Sequence, residues 1–190
     1  TLNPPLTNKN KYSPDREIIF IQDISGSMSG EPIKQSKIGL EMAIKRLKSS
    51  DKFNIVLFND RYSSYAQTPV LATAKERDKA IRYVRRLSAE NGTNMYPALS
   101  FSLNNFRSKK SVLKQLIFLT DGAVTQETEL FSLINSKLKT SRLFTIGIGS
   151  APNSFFMTRA AEIGRGSHIH IGDMSEISVR MEELFNKIEN

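Results

Sequence analysis

Oxygen-bearing side chains stand at three separate places in this sequence and could together bind a hard metal ion. Asp23, Ser25 and Ser27 alternate in one short segment, Thr93 follows a glycine, and Asp121 precedes one. Two carboxylates and three hydroxyls suit Mg²⁺ or Mn²⁺, and they do not suit zinc. The residue types therefore predict a divalent-metal site at these five positions, with Mg²⁺ as the expected ion and Mn²⁺ or Ca²⁺ as alternatives.

Apolar runs place these side chains at the ends of buried strands. Continuous four-residue runs at 18–21, 55–58 and 116–119 have the length and composition of strands that are buried on both faces. Asp23 follows the first run and Asp121 follows the third. Because ligands bind at the carboxyl ends of parallel strands, these are the positions at which a binding site is expected.

Helical periodicity alternates with the strands. Apolar spacing predicts helices at 31–48, 73–87, 97–106, 130–138, 154–163 and 177–188, and further strands at 64–70, 143–148 and 168–171. Thr73 and Glu76 form a capping box, Pro97 opens its helix, and Pro69 closes an edge strand. The alternation predicts an α/β fold, a doubly wound Rossmann-like three-layer sandwich with a mainly parallel central sheet and helices on both faces.

Length and composition predict one globular domain. The chain has 190 residues, of which 39% are hydrophobic and 24% charged. Residues 1–15 are polar and contain three prolines, so they are interpreted as a linker before a domain at 16–190. Thr1 is neither an initiator Met nor part of a signal peptide, so the chain is expected to be one monomeric domain of a larger protein.

Several function classes are disfavoured by composition. The chain has no cysteine, which excludes disulfides, thiolate nucleophiles and Cys-ligated zinc, and it has two histidines. No apolar run approaches the roughly 18 residues of a membrane span, so no membrane insertion by this domain is expected. A net charge of +8 permits attraction to anionic partners without demonstrating it.

The five candidate ligands resemble a known motif. The pattern Asp-x-Ser-x-Ser after the first strand, Thr93 in a Gly-Thr loop and Asp121-Gly after a later strand is similar to the metal-ion-dependent adhesion site of von Willebrand factor type A domains. The resemblance covers about residues 16–189. It implies that Ser25, Ser27 and Thr93 bind the metal directly, that Asp23 and Asp121 act directly or through water, and that a ligand carboxylate takes the sixth position.

Other stretches resemble one branch of that family. Segments 16–20, 51–54, 118–124 and 147–153 look like the A domains of bacterial surface proteins, some of them sortase targets, that resemble inter-alpha-trypsin inhibitor heavy chains. The resemblance implies an extracellular, cell-surface or periplasmic location in a bacterium, and a VIT domain before the A domain in the parent protein. Gln22 departs from the pattern, which usually has an apolar residue there, and is expected to affect packing or the surroundings of the site but not ligation.

Weaker patterns are read as structural. Gly147-Ile148-Gly149 lacks the third glycine of a dinucleotide loop and is interpreted as a tight turn. His168 and His170 face one side of a short strand without a third ligand nearby in sequence, so a surface or edge role is favoured over zinc. An aspartyl phosphotransferase would need a second acid where Ser25 stands.

The basic residues of the predicted 73–87 helix are also explained without a ligand. Six basic residues lie opposite its apolar stripe and are interrupted by Glu76 and Asp78. Without grouped aromatic residues they predict a solvated face, and no nucleic-acid partner is expected.

The favoured function is a non-enzymatic, divalent-metal-dependent adhesion module. Its metal would bridge to a carboxylate on a protein or matrix-like ligand. One alternative is an interaction scaffold in a larger surface assembly with a structural or vestigial metal. Another is a metal-dependent phosphoesterase, although no pair of nucleophile and base is visible in the sequence.

Overall fold

The structure, a computed structural model, describes residues 15–107, 112–122, 124–149 and 154–189. The predicted linker at 1–15 lies outside the described residues except for Asp15. The strands are β1 (Arg16–Asp23), β2 (Lys52–Phe58), β3 (Tyr62–Ser64), β4 (Val70–Leu71), β5 (Leu113–Thr120), β6 (Arg142–Ile148) and β7 (Arg165–Ile171). The helices are α1 (Glu31–Arg46), α2 (Ala74–Arg85), α3 (Met95–Asn104), α4 (Glu127–Lys137), α5 (Ser154–Ile163) and α6 (Ile177–Glu189).

The strands form one sheet in the order β3-β2-β1-β5-β6-β7, with β4 also paired to β2. All pairs among β2, β1, β5, β6 and β7 are parallel, whereas β3 and β4 run antiparallel to β2. This confirms the mainly parallel, doubly wound sheet. The chain order reverses between β1 and β5, and ligands of such sheets bind outside the carboxyl ends of the strands at this reversal.

Side-chain alternation along β1 divides the interior into two cores. Ile18 and Phe20 pack with α1, α2 and α6, whereas Ile19 and Ile21 pack with α3, α4 and α5. Because both faces of the sheet are covered, the strands consist of nearly continuous apolar residues. The predicted three-layer architecture is confirmed. Within the described residues, no helix has the length and apolarity that crossing a bilayer requires.

The predicted edge strand at 64–70 is wrong in its extent. The structure has two short strands instead, β3 and β4, and both pair with β2. Between them the side chain of Asn54 takes over the pairing: its amide donates to the Ala66 carbonyl at 2.9 Å and its carbonyl accepts from the Ala66 amide at 3.0 Å. The buried asparagine therefore interrupts the backbone ladder that an uninterrupted edge strand would need.

The structure confirms the predicted cap of α2, whereas the first residue of α3 differs from the prediction. The Thr73 hydroxyl accepts the Glu76 amide at 3.1 Å, as a cap of α2. Pro97 does not open α3, which begins two residues earlier at Met95. A proline is tolerated there because the amides of a first helical turn have no partner within the helix.

Candidate metal centre

Asp23 is the last residue of β1 and is fully buried. Its Oδ1 accepts the Ser25 amide at 2.8 Å, and its Oδ2 accepts the Thr120 hydroxyl at 2.6 Å. Burial raises the pKa of the Asp23 carboxyl, hydrogen bonds from Ser25 and Thr120 oppose that rise, and the nearby charge of Asp121 adds to it. The carboxylate is thus held in place at a position where a cation would offset its poor solvation.

Two hydroxyls follow Asp23 in the loop between β1 and α1. The oxygens of Ser25 and Ser27 lie 3.1 Å apart. Ser25 is buried and Ser27 is exposed, so the pair reaches from the protein interior to the solvent. A short 3-10 turn, Gly26–Met28, fixes this loop, and the Met28 amide donates to the Ser25 carbonyl at 2.9 Å.

Gly26 joins this loop to the segment that precedes α3. Its amide donates to the Asn91 carbonyl at 2.9 Å, and the Glu90 amide donates to the Ile24 carbonyl at 2.9 Å. The sequence suggests a glycine for a tight bend, but Gly26 does not have a positive φ. A side chain is disfavoured for another reason: a Cβ at Gly26 would lie 3.1 Å from the Asn91 oxygen, so the Asn91 backbone would have to move by a few tenths of an ångström.

Thr93 is carried to the same edge of the sheet by this segment. It is half-buried, and the next residue, Asn94, donates its amide to the Asn59 carbonyl at 2.6 Å. The structure gives no hydrogen bond between Thr93 and the other four candidate ligands within the described residues. The loop that holds Thr93 is therefore brought to the candidate centre, while the participation of its hydroxyl stays a prediction.

Asp121 follows β5 directly and is half-buried. β5 is the parallel neighbour of β1, and the Asp121 charge contributes to the raised pKa of the Asp23 carboxyl. After it, Gly122 has a φ of +79°, a conformation that favours glycine, and donates its amide to the Thr120 hydroxyl at 3.1 Å. The two predicted carboxylates are thus neighbours across the point where the strand order reverses.

Two polar residues that were not predicted as ligands support the centre. Thr120 links the chain around Asp121 to the Asp23 carboxylate, and its signal in the sequence is a hydroxyl that ends an apolar run. Gln22 is buried and donates to the Asp23 carbonyl at 2.9 Å, while Ser36 of α1 donates to Gln22 Oε1 at 2.8 Å. Gln22 therefore acts on the surroundings of Asp23, as expected of it.

The donor set fits a hard divalent cation better than zinc. Among the described residues, no group of three His, Cys, Asp or Glu side chains could hold a metal ion by itself. Any ion at this edge would therefore need oxygen donors besides the Asp23 and Asp121 carboxylates, and the hydroxyls of the candidate ligands are such donors. Such a mixed oxygen set leaves room for water or an external oxygen in the shell of Mg²⁺.

A groove of about 660 Å³ opens beside the candidate centre, between α3 and α4. Its lining includes Asn94, directly after Thr93, and Gln126, five residues beyond Asp121. Two rows of α4 side chains at helical spacing continue along it: Thr128, Ser132 and Ser136 in one row, and Glu129, Leu133 and Lys137 in the other. The groove is therefore a mixed polar and apolar surface that runs away from the site.

The two histidines of the edge strand β7 have structural partners on β6 and directly after it. His168 Nδ1 lies 2.9 Å from the Thr145 hydroxyl, and His170 Nε2 lies 2.8 Å from the Gly149 carbonyl. Burial, together with the neighbouring His170, lowers the pKa of His168. Gly149 has a φ of +92°, and the rest of the predicted turn after it, residues 150–153, lies outside the described residues.

Several basic residues of α2 have partners inside the protein. Arg85 forms an ion pair with Glu41, Arg77 donates to the Leu47 carbonyl, and the Lys79 ammonium lies 5.8 Å from the centre of the Tyr65 ring. These contacts attach α2 to its neighbours, so part of the basic charge has a structural explanation. This agrees with the prediction that the basic face of the helix is an ordinary one.

Comparisons with known proteins agree with this architecture. The family model described as "von Willebrand factor type A domain" matches residues 16–168. A von Willebrand factor A domain-containing protein of Dictyostelium discoideum is 30% identical over 90% of this chain and 18% of its own length. Inter alpha-trypsin inhibitor heavy chain 4 of Mus musculus is 27% identical over 96% of this chain and 21% of its own length. The chain thus spans about a fifth of these relatives.

A solved structure gives the same result. The von Willebrand factor type A protein from Catenulispora acidiphila superposes with a TM-score of 0.80 at 25% identity, covering 90% of this chain and 42% of that chain. The family match, the relatives and the sheet order agree on the same family. The chain belongs to the von Willebrand factor type A domain family.

Proposed function

We propose that this domain is a non-enzymatic adhesion module that binds an acidic ligand through a divalent metal ion. Members of the family commonly mediate protein interactions and are generally not enzymes. The observation that carries the proposal is the buried Asp23 carboxylate, which lies near Asp121 and the Ser25 hydroxyl at the reversal of strand order. Two carboxylates at this depth are stabilised together when a cation is shared between them.

Five residues would hold the ion: Asp23, Ser25, Ser27, Thr93 and Asp121. Mg²⁺ is the favoured ion, with Mn²⁺ and Ca²⁺ as alternatives, because every donor is a hard oxygen. When bound, the ion supplies an electrophilic position for one carboxylate oxygen of the partner. The chain itself contributes the orientation: Thr120 and Ser25 hold the Asp23 carboxylate, and Gln22 fixes the backbone behind it.

The partner in this proposal is a protein or matrix-like ligand with an exposed Asp or Glu. The groove between α3 and α4 supports this choice because it begins beside the candidate centre and can accept the residues next to the ligand carboxylate. We also propose that the domain works as a monomeric part of a larger protein outside the cell or on its surface. The bacterial origin expected from the sequence stays a prediction, and the relatives named above include proteins of Dictyostelium discoideum and Mus musculus.

The first experiment is calorimetric titration of chelator-treated protein with Mg²⁺, Mn²⁺ and Ca²⁺. We expect one saturable site that is lost in Asp23→Ala and retained in Asp78→Asn, which removes an exposed carboxylate from α2. Equal binding by Asp23→Ala and by the unmodified protein would place any metal elsewhere and refute the proposed centre.

The role of the ligand is tested with acetate as the simplest carboxylate. In Mn²⁺-loaded protein, water-proton relaxation reports water on the ion, and acetate should lower that relaxation by replacing water. Relaxation that does not respond to saturating acetate would contradict a carboxylate-completed site and favour a scaffold with a structural metal. The same titration with Asp78→Asn controls for general charge effects.

A further inference from the structure

A second polar cavity lies at the other end of the sheet, among the amino ends of β5 and β6. It has a volume of about 290 Å³ and, apart from a few apolar side chains, is lined by polar groups. We call it the lysine pocket, and its polar lining consists of Asn104, Lys114, Lys137, Lys139, Thr140 and Ser141. The three lysines come from different places: Lys114 from β5, Lys137 from the last turn of α4, and Lys139 from the loop after it.

Among the residues that the structure describes, the lining carries three positive charges and no carboxylate. Within the described part of the chain, none of the three lysines forms an ion pair with an acidic side chain. The acidic residue beside Lys114 in strand register is Glu17, which is fully buried and accepts the Arg107 amide at 2.7 Å. Even if Glu17 offsets Lys114, the charges of Lys137 and Lys139 stay unbalanced.

The loop that contributes Lys139, Thr140 and Ser141 to the lining is held in a fixed shape. The Arg165 guanidinium donates to the Lys139 carbonyl and, at 2.6 Å, to the Ser141 carbonyl. Lys139 has a φ of +53°, and the Ser141 amide donates to the Leu138 carbonyl at 2.9 Å. Arg165 therefore both orders this loop and adds a fourth positive charge near it.

We propose that the lysine pocket binds a tetrahedral oxyanion, a sulfate or phosphate group. Ammonium groups form strong charge-assisted hydrogen bonds to such oxygens, and the hydroxyls of Thr140 and Ser141 add neutral donors. Lysines near a helix C-terminus also stabilise the helix dipole, which explains Lys137. That explanation does not reach Lys114, which lies on a strand and faces the same cavity.

The test is nuclear magnetic resonance titration of the full 190-residue chain with sodium sulfate and with sodium phosphate. Ionic strength is kept constant with sodium chloride, because exposed charges are screened by salt. A chelator is present throughout, so that no oxyanion can bind through a metal at Asp23 and Asp121. We expect saturable shifts of the Thr140 and Ser141 amides, and the ratio of the two affinities shows whether sulfate or phosphate fits better.

The double variant Lys137→Gln/Lys139→Gln should weaken the affinity about fivefold or more, because two unit charges close to the anion are lost. Lys75→Gln is the matched control, since it removes an exposed lysine from α2 on the other face of the sheet. Shifts that do not saturate, or an affinity that falls no further in the double variant than in Lys75→Gln, would overturn the proposal. Circular dichroism of each variant verifies that the fold is retained.

Discussion

Asp23 is the residue in which charge and burial conflict. Burial raises the pKa of its carboxyl above the usual 3.8, so the folded protein holds this proton more tightly than the unfolded chain. Between pH 3.8 and the raised pKa, the metal-free fold therefore loses stability as the pH rises. At neutral pH the full penalty for the ionised group is present, and a bound cation would relieve it.

Asp23→Asn should consequently stabilise the metal-free protein at pH 7, because it removes a buried charge that desolvation disfavours. Asparagine keeps the shape of the side chain and an oxygen for the Ser25 amide, but it has no charge, and its NH2 group would donate to the Thr120 hydroxyl instead of accepting from it. Mg²⁺ should raise the melting temperature of the unmodified protein and leave that of the variant unchanged.

Thermal unfolding in chelator and in Mg²⁺, at pH 7 and at pH 3.5, measures both effects. The stabilisation by Asp23→Asn should shrink at pH 3.5, where the native carboxyl is protonated. Asp78→Asn serves as the exposed control and should change neither curve. A variant that is less stable than the unmodified protein in chelator at pH 7 would show that burial of the charge is not the dominant effect.

The link between β1 and α1 depends on the buried side-chain amide of Gln22. Ser36 donates to Gln22 Oε1, and Gln22 in turn donates to the Asp23 carbonyl. Ser36→Ala leaves the Gln22 oxygen buried without a donor, which should lower the free energy of unfolding by about 1–3 kcal/mol. Urea unfolding followed by circular dichroism measures the loss.

The double variant Gln22→Leu/Ser36→Ala separates the hydrogen bond from packing. Replacing both partners with apolar groups removes the unsatisfied Gln22 oxygen, so part of the lost stability should return, while the hydrogen bond from Gln22 to the Asp23 carbonyl is still lost. Ser132→Ala, at an exposed position of α4, is the control and should differ from the unmodified protein by less than about 0.5 kcal/mol. If Ser132→Ala and Ser36→Ala were equally stable, the buried link would have no energetic role.

Helices could be predicted well from the period of their apolar residues, and buried strands from their continuous apolar runs. The α5 range of 154–163 agrees with the structure, and the runs at 18–21 and 116–119 fall inside β1 and β5. The edge of the sheet could not be predicted, because the interruption between β3 and β4 depends on a contact between Asn54 and Ala66, which are distant in sequence.

The candidate site could be predicted in part for the same reason. Strand ends and topology indicate that Asp23 and Asp121 are neighbours, since a parallel β1–β5 pair brings their carboxyl ends together. The approach of the loop with Thr93 depends on two backbone hydrogen bonds, from Gly26 to Asn91 and from Glu90 to Ile24, for which neither segment has a sequence signature. The sequence likewise shows a hydroxyl residue at Thr120, but it does not predict that this hydroxyl donates a hydrogen bond to Asp23.

Considered as a whole, the molecule separates two kinds of polar surface by the length of its sheet. The carboxylates of the candidate metal centre follow the carboxyl ends of β1 and β5, whereas the lysine pocket lies at the amino ends of β5 and β6. An eight-residue strand is about 26 Å long, which is several Debye lengths at physiological salt. The two ends can therefore carry opposite electrostatic character without disturbing each other.

One buried ion pair at the amino end of β1 contributes to the stability of this whole unit. The Arg16 guanidinium lies 2.7 Å from Asp51 Oδ2, and both side chains are buried. Asp51 also accepts the Lys48 amide at 2.8 Å, so the pair connects β1 to the turn between α1 and β2. Removing one partner of such a pair leaves an uncompensated charge in the interior.

Arg16→Met should therefore lower the free energy of unfolding by about 3–5 kcal/mol. The matched control is Lys34→Met, which breaks the exposed 3.7 Å pair with Glu31 and should cost less than about 1 kcal/mol. The double variant Arg16→Met/Asp51→Leu should recover much of the loss, because no buried charge is left. Urea unfolding by circular dichroism distinguishes the variants, and an Arg16→Met protein as stable as Lys34→Met would mean that Asp51 reaches water when its partner is removed.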